Sequence, residues 1–394
     1  MPIQRPTWLP SYLPELQGLR GLAVLAVVAY HCHPRLEGTR IHYASLWGWA
    51  GVNLFFVLSG FLITSILLEA QGKPRYFRNF YGRRALRIWP VYVLVLAACY
   101  WHLRWLASHG MMDATKGAPW PAYVFFVQNL FYPLSDAIGP TWSLAIEEQY
   151  YFLWAPLVRF LRRPWMLAAV LTGALAGSPL LRLANLPWVT PTHTLIHLDG
   201  IALGSLLALG LYTLPLSRRL WLWIGLGALV LGIAAAATVA GGTLFLDSAL
   251  AAAFAGAVLA AIASTGARNP INAVLSRGPL AFFGRISYGL YMTHILVFIW
   301  FGWFDLEMDR YGMAGSLTVV ALRLAASTAL ATALWYGFES QILKLKRYFQ
   351  GVCVQTPSLT AASAPQSRTR PAEKASRQAR PAPGDAGDRS RPAP

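Results

Sequence analysis

Apolar residues run through this chain in long blocks separated by short polar segments. Ten blocks approach the length of a membrane-crossing helix, near 14–33, 46–69, 88–107, 141–160, 165–184, 196–213, 220–239, 244–265, 284–303 and 313–337. A helix needs roughly 20 residues to cross a bilayer. The 196–213 block is short and contains Asp199. The pattern predicts an all-α, polytopic integral membrane protein with about ten transmembrane helices.

The intervening charges supply a parity check. The loop after the second block holds Lys73, Arg75, Arg78, Arg83, Arg84 and Arg87. Arg159, Arg162 and Arg163 follow the fourth block, Arg218 and Arg219 the sixth, Arg268, Arg277 and Arg285 the eighth, and Lys344, Lys346 and Arg347 the tenth. The alternate loops carry few basic residues, and one is acidic, with Asp305, Glu307 and Asp309. Cytoplasmic loops are enriched in Lys and Arg. Ten spans with both termini cytoplasmic satisfy that rule, whereas a miscounted span would scatter the arginines over both sides.

Composition agrees with a membrane protein. Hydrophobic residues make up 56% of the 394 and charged residues 12%, against roughly 25% charged in soluble domains. Sixteen Trp and seventeen Tyr suit the two membrane interfaces. The net charge of +17 is assigned to basic loops and a basic tail, not to nucleic-acid binding. Cys32, Cys99 and Cys353 lie far apart and imply neither a disulfide framework nor a zinc site. The first apolar block has no cleavage site after it, so no cleavable signal peptide is expected. Residues 1–350 are expected to form one transmembrane domain. Residues 351–394, rich in Pro, Ala, Ser and Arg, lack the apolar residues of a core and are expected to be a disordered basic cytoplasmic tail. Neither a repeat nor an appended soluble domain is apparent.

Ionisable residues inside apolar blocks are costly and so point to function. Residues 19–31, LRGLAVLAVVAYH, place Arg20 and His31 eleven positions apart. That is about three helical turns, so the two share a face roughly 16 Å apart along the axis. Further segments read GVNLFFVLSGFLI at 51–63, RRALRIWPVY at 83–92, TWSLAIEEQYY at 141–151 and GRISYGLYMTHILV at 284–297. Together these resemble the acyltransferase-3 family of membrane O-acyltransferases. Its markers are an Arg-(ten residues)-His pair, FFVLSGFLI, an RRxxRIxP box, WSLxxExxYY and SYxLYxxH, all present here in order. The resemblance covers roughly residues 14–345 and leaves out the tail.

The resemblance implies transfer of an acyl group, usually acetyl, from coenzyme A to a hydroxyl on a glycan or other envelope molecule. It places the family's catalytic histidine at His31. An imidazole titrating near working pH can take the hydroxyl proton as general base, and a covalent acyl-imidazole is chemically open as well. Glu147 matches the motif glutamate and is expected to orient His31 as the acid of a triad does. Ser143, Glu147 and Tyr150 or Tyr151 fall near one helix face and are expected to line one pocket. Glu148 points about 100° away and is expected to pair with an arginine elsewhere.

Arg83, Arg84 and Arg87 lie within one helical turn. Guanidinium forks suit the phosphates of coenzyme A, and Arg20 would approach the same cofactor. Asp199 is a further candidate substrate-binding residue, and His294 is either another or a histidine satisfied by helix packing. Ser59-Gly60 is expected to serve close helix packing. No metal is expected, since two histidines without suitably spaced carboxylates make a poor site. No tightly bound cofactor is implied; acetyl-CoA is a substrate. The expected partners are the donor, a carbohydrate or glycolipid acceptor and the bilayer, and the expected location is a bacterial inner membrane. The rival reading is a transporter lined by the same ionisable residues. It lacks support from inverted repeats or a matching pair of Gly/Pro-broken helices.

Overall fold

The computed structural model describes residues 5–109, 118–131, 138–239, 244–267 and 269–349; the tail expected at 351–394 lies outside the described residues. Among the described residues the regular structure is helical, with no strand. The ten long helices are α1 (Pro14–Cys32), α2 (Gly51–Ala70), α3 (Tyr76–Ser108), α4 (Thr141–Phe160), α5 (Pro164–Ala184), α6 (Leu198–Thr213), α7 (Arg218–Val239), α8 (Leu246–Ser264), α9 (Gly278–Trp300) and α10 (Gly312–Leu334). They correspond one to one with the ten apolar blocks.

Eight of the ten lie in segments long and apolar enough to cross a membrane: α2, α3 and α5 through α10. The two that fall short are α1 and α4. α1 carries Glu15, Arg20 and His31, and α4 carries Glu147, Glu148 and Arg159. The same ionisable residues that mark a site dilute the apolar signal.

Protein rather than lipid surrounds much of α1. It packs against α2, α8 and α9. A Cβ on Gly284 of α9 would stand 1.8 Å from the carbonyl oxygen of Gln17, and one on Gly21 of α1 2.1 Å from that of Leu280. Both contacts forbid any side chain, so the two backbones touch, as small residues allow between membrane helices. Gly60 plays the expected packing role between α2 and α6, because a Cβ there would meet the Ile201 carbonyl at 2.0 Å.

Two candidate substrate residues belong to this framework. Asp199 lines neither of the large cavities described below. Its Oδ2 lies 2.7 Å from Arg182 Nη2 of α5 and accepts from Ser248 Oγ of α8 at 2.6 Å. Arg182 also donates to the Ile196 and Leu244 carbonyls. The buried pair ties α5, α6 and α8 together, and loss of one partner would strand the other charge. Tyr150 is likewise internal: its hydroxyl sits 2.6 Å from Ser205 Oγ of α6 and its ring stacks on Trp154 at 5.6 Å.

α10 runs into a π-helical turn, Trp335–Glu339, and the chain continues through Ser340–Leu343 to a 3₁₀ segment, Lys344–Tyr348. Such π turns are rare and concentrate at functional sites. This one puts buried Glu339 against Arg87 of α3 as an ion pair. Phe349 then covers Gly82 and faces Arg78, so the segment lies along the start of α3.

Candidate active site

Two cavities lie beside α1. The first, here the arginine chamber, has an empty volume of about 820 Å³ and is lined by Arg20, Ser59, Arg84, Arg87, Ser143, Glu147, Tyr151, Ser287, Tyr288 and Tyr291, among others. Its charged groups come from three helices. Arg20 Nη2 donates to Ser287 Oγ at 3.3 Å, while its Nε is buried without a hydrogen-bond partner. Arg84 lies over the Tyr151 ring, 4.4 Å from Cζ to centroid, and its Nε is also without one. Arg87 pairs with Glu339 between the rings of Tyr288 and Trp335. Glu147 accepts from the Tyr151 hydroxyl, which also bonds to Ser59. Arg83 does not line the cavity, but it and Lys346 extend the positive charge beside Arg84 and Arg87. Buried guanidinium N–H groups without acceptors mark a place suited to an anion.

The second, the histidine chamber, has an empty volume of about 1740 Å³ and is lined by Tyr30, His31, Trp49, Asn53, Trp142, His197 and Asp247, among others. Trp142 lies 5.0 Å from the His197 ring, and Asn53 Nδ2 donates to Asp247 Oδ1 at 3.0 Å.

The hydrogen bonds around His31 decide its tautomer. His294 Nδ1 lies 2.7 Å from the Tyr291 carbonyl oxygen, which can only accept, so this nitrogen carries the proton. His31 Nδ1 lies 2.9 Å from the Val27 carbonyl and 3.3 Å from His294 Nε2. It too must be a donor, and His294 Nε2 its second acceptor. His294, accepting at Nε2, is then neutral, and the neutral tautomer of His31 that this network selects is protonated at Nδ1 and unprotonated at Nε2. This is an assignment from the bonding network.

The arrangement therefore brings together Arg20, Arg84, Arg87, Ser143, Glu147 and Tyr151, and it joins His294 to His31. It does not place Glu147 beside His31. The partners of Glu147 are Tyr151, Ser59, Arg84 and Arg20, all on the arginine side, and the side chain that meets the His31 ring is His294. Glu148 has no ion pair among those formed by the described residues, and its Oε1 is buried without a hydrogen-bond partner; the positive charge of Arg84 acts on it. Reading the sequence did not single out Tyr291, Trp49, Asn53, Asp247, Glu339 or Lys346. Tyr291 sat within SYGLYMTH, whereas Glu339 and Lys346 had no motif to mark them.

A family profile described as an acyltransferase domain, acyltransferase-3, matches residues 13–337. The chain belongs to this family. Among curated proteins, this acyltransferase-3 chain is similar to the peptidoglycan O-acetyltransferase OatA of Listeria monocytogenes. The two are 28% identical over 320 residues, 72% of this chain and 49% of that protein. It is also similar to the putative peptidoglycan O-acetyltransferase YrhL of Bacillus subtilis, 38% identical over 157 residues, 36% of this chain and 23% of that one. The O-acetyltransferase OatA of Staphylococcus aureus is 32% identical over 165 residues, 39% of this chain and 26% of its own length. The acyltransferase-3 chain thus spans about half or less of the length of these relatives. No solved structure matches it. Glu339 and Lys346 lie beyond the residues that the family profile covers.

Proposed function

We propose that this protein is an integral-membrane O-acetyltransferase that moves acetyl from acetyl-CoA to a hydroxyl of a cell-envelope carbohydrate. Peptidoglycan is the first acceptor to test, because the relatives' names carry it. One observation carries the reading: a chamber rich in guanidinium groups adjoins a chamber lined by a histidine with one unprotonated ring nitrogen.

Arg83, Arg84, Arg87 and Lys346 hold the donor's phosphates, and Arg20 attends the end nearer the thioester. Phosphate accepts bidentate hydrogen bonds from guanidinium, and the low-dielectric surroundings strengthen them. Glu147, held by Tyr151 and Ser59, fixes Arg84 and Arg20 in place. The acceptor sits in the histidine chamber against Trp49 and Trp142, whose faces suit the apolar face of a sugar ring. His31 Nε2 takes the acceptor's hydroxyl proton as the oxygen attacks the thioester carbonyl. The new C–O bond forms, the C–S bond breaks, and the imidazolium returns its proton to the departing thiolate. His294 keeps Nδ1 of His31 protonated and so keeps Nε2 basic. The positive-inside pattern supports a cytoplasmic arginine chamber and cytoplasmic termini, with the histidine chamber toward the outside.

Protein purified into lipid nanodiscs, supplied with radiolabelled acetyl-CoA and soluble muropeptides, tests this. Label appearing on the glycan, and disappearing with His31→Ala, is the expected result. Absence of label on any glycan with intact protein that still binds acetyl-CoA would sink it.

A further inference from the structure

Val52 and Tyr291 line both chambers. They stand in the wall that a donor thioester would have to pass to reach His31. Tyr291 is tied to each side. Its hydroxyl donates to the Pro140 carbonyl at 3.1 Å and lies 2.6 Å from Ser143 Oγ on the arginine side. Its backbone carbonyl accepts from His294. Its ring lies 5.9 Å from Phe55 and 6.0 Å from the His294 ring. Both hydroxyl contacts are neutral hydrogen bonds, which exchange readily for bonds to water or to a sugar hydroxyl. The ring packs between the two clusters that meet at this wall, so its displacement needs the binding energy of an acceptor.

We infer that Tyr291 is a gate between donor and acceptor. The inference rests on the acetyl-transfer reading above. Water and a sugar hydroxyl are both oxygen nucleophiles, and a thioester exposed to the histidine chamber would meet water first. Water attack forms acetate: a C–O bond forms, the C–S bond breaks, one water proton ends on the coenzyme A thiol and the other is released to solvent. The Tyr291 ring shields the thioester until an acceptor fills the chamber and displaces it. Tyr291 thereby sets the partition between transfer and hydrolysis; it is a positioning residue, while His31 carries the proton.

The test measures that partition. Tyr291→Ala lowers the ratio of glycan acetylation to acetyl-CoA hydrolysis about tenfold or more. Tyr291→Phe keeps the ring, loses both hydroxyl bonds and lowers the ratio about two- to tenfold. An unchanged ratio in Tyr291→Ala, or parallel loss of both reactions, overturns the gate. A second measurement needs no turnover. With Cys32, Cys99 and Cys353 replaced, a Ser59→Cys variant carries a thiol in the arginine chamber. A membrane-impermeant maleimide applied from the histidine side labels it only when Tyr291→Ala is also present. Equal labelling with and without Tyr291→Ala overturns the gate even if the donor is not acetyl-CoA.

Discussion

The arginine chamber takes every charged side chain in its lining from the interior of a long helix: Arg20 from α1, Arg84 and Arg87 from α3, Glu147 from α4. The histidine chamber takes much of its lining from connecting segments. Trp49 comes from the turn Trp47–Ala50, Gly139 and Pro140 from the approach to α4, and Pro191 and Thr192 from the loop before α6. Helices packed against one another hold their groups rigidly, whereas loops on a rigid scaffold vary more freely. The difference matches the two substrates proposed. A donor of constant chemistry calls for a fixed cradle, and acceptors that differ between envelopes call for a wall that can be rebuilt.

Substitutions that separate the chambers put this contrast at risk. The largest effect is expected from His31→Ala, which lowers transfer about 10²–10⁴-fold and leaves acetyl-CoA binding by calorimetry intact. Equal loss of binding would show that the chambers are not functionally distinct. Arg84→Gln is expected to raise the KM for acetyl-CoA about 10–100-fold, the worth of one charge-assisted hydrogen bond, with kcat nearly unchanged. Steady-state kinetics at saturating acceptor separates the two constants. Trp142→Ala is expected to raise the KM for the glycan about tenfold, in line with loss of an aromatic contact, with donor KM unmoved. A shift in donor KM instead would place Trp142 in the wrong chamber. The smallest effect on turnover belongs to Tyr150→Phe. Its hydroxyl serves contacts between helices, to Ser205 of α6 and Thr64 of α2, so activity stays within about twofold while thermal unfolding reports a loss of roughly 1 kcal/mol.

Helices were the most legible feature, because block length and loop charge report on them directly. α1 and α4 were found as apolar blocks like the rest, although both fall short of the apolarity of the other eight. The site was legible in its membership more than in its grouping. Ser143, Glu147 and Tyr151 share a face on α4, and one face meets one cavity. Helical spacing could not say which neighbouring helix that face would meet. So Glu147 was paired with His31 on chemistry alone, when Tyr291 and Val52 stand between their chambers. The partner of Asp199 was illegible for a related reason. That partner, Arg182, is seventeen positions away on another helix, a distance at which no periodicity operates. Glu339 was hidden by the π turn, which shifts the register that an α-helical reading assumes.

The contact of α1 with α9 through Gly21 and Gly284 has a consequence for length. With its backbone pinned, α1 cannot slide or twist to suit its two ends, and it works as a ruler laid between the chambers. One alanine inserted between Arg20 and His31 would advance His31 by about 1.5 Å and turn it about 100° out of line. Every side chain would still be present, and the two halves of the reaction would no longer be in phase.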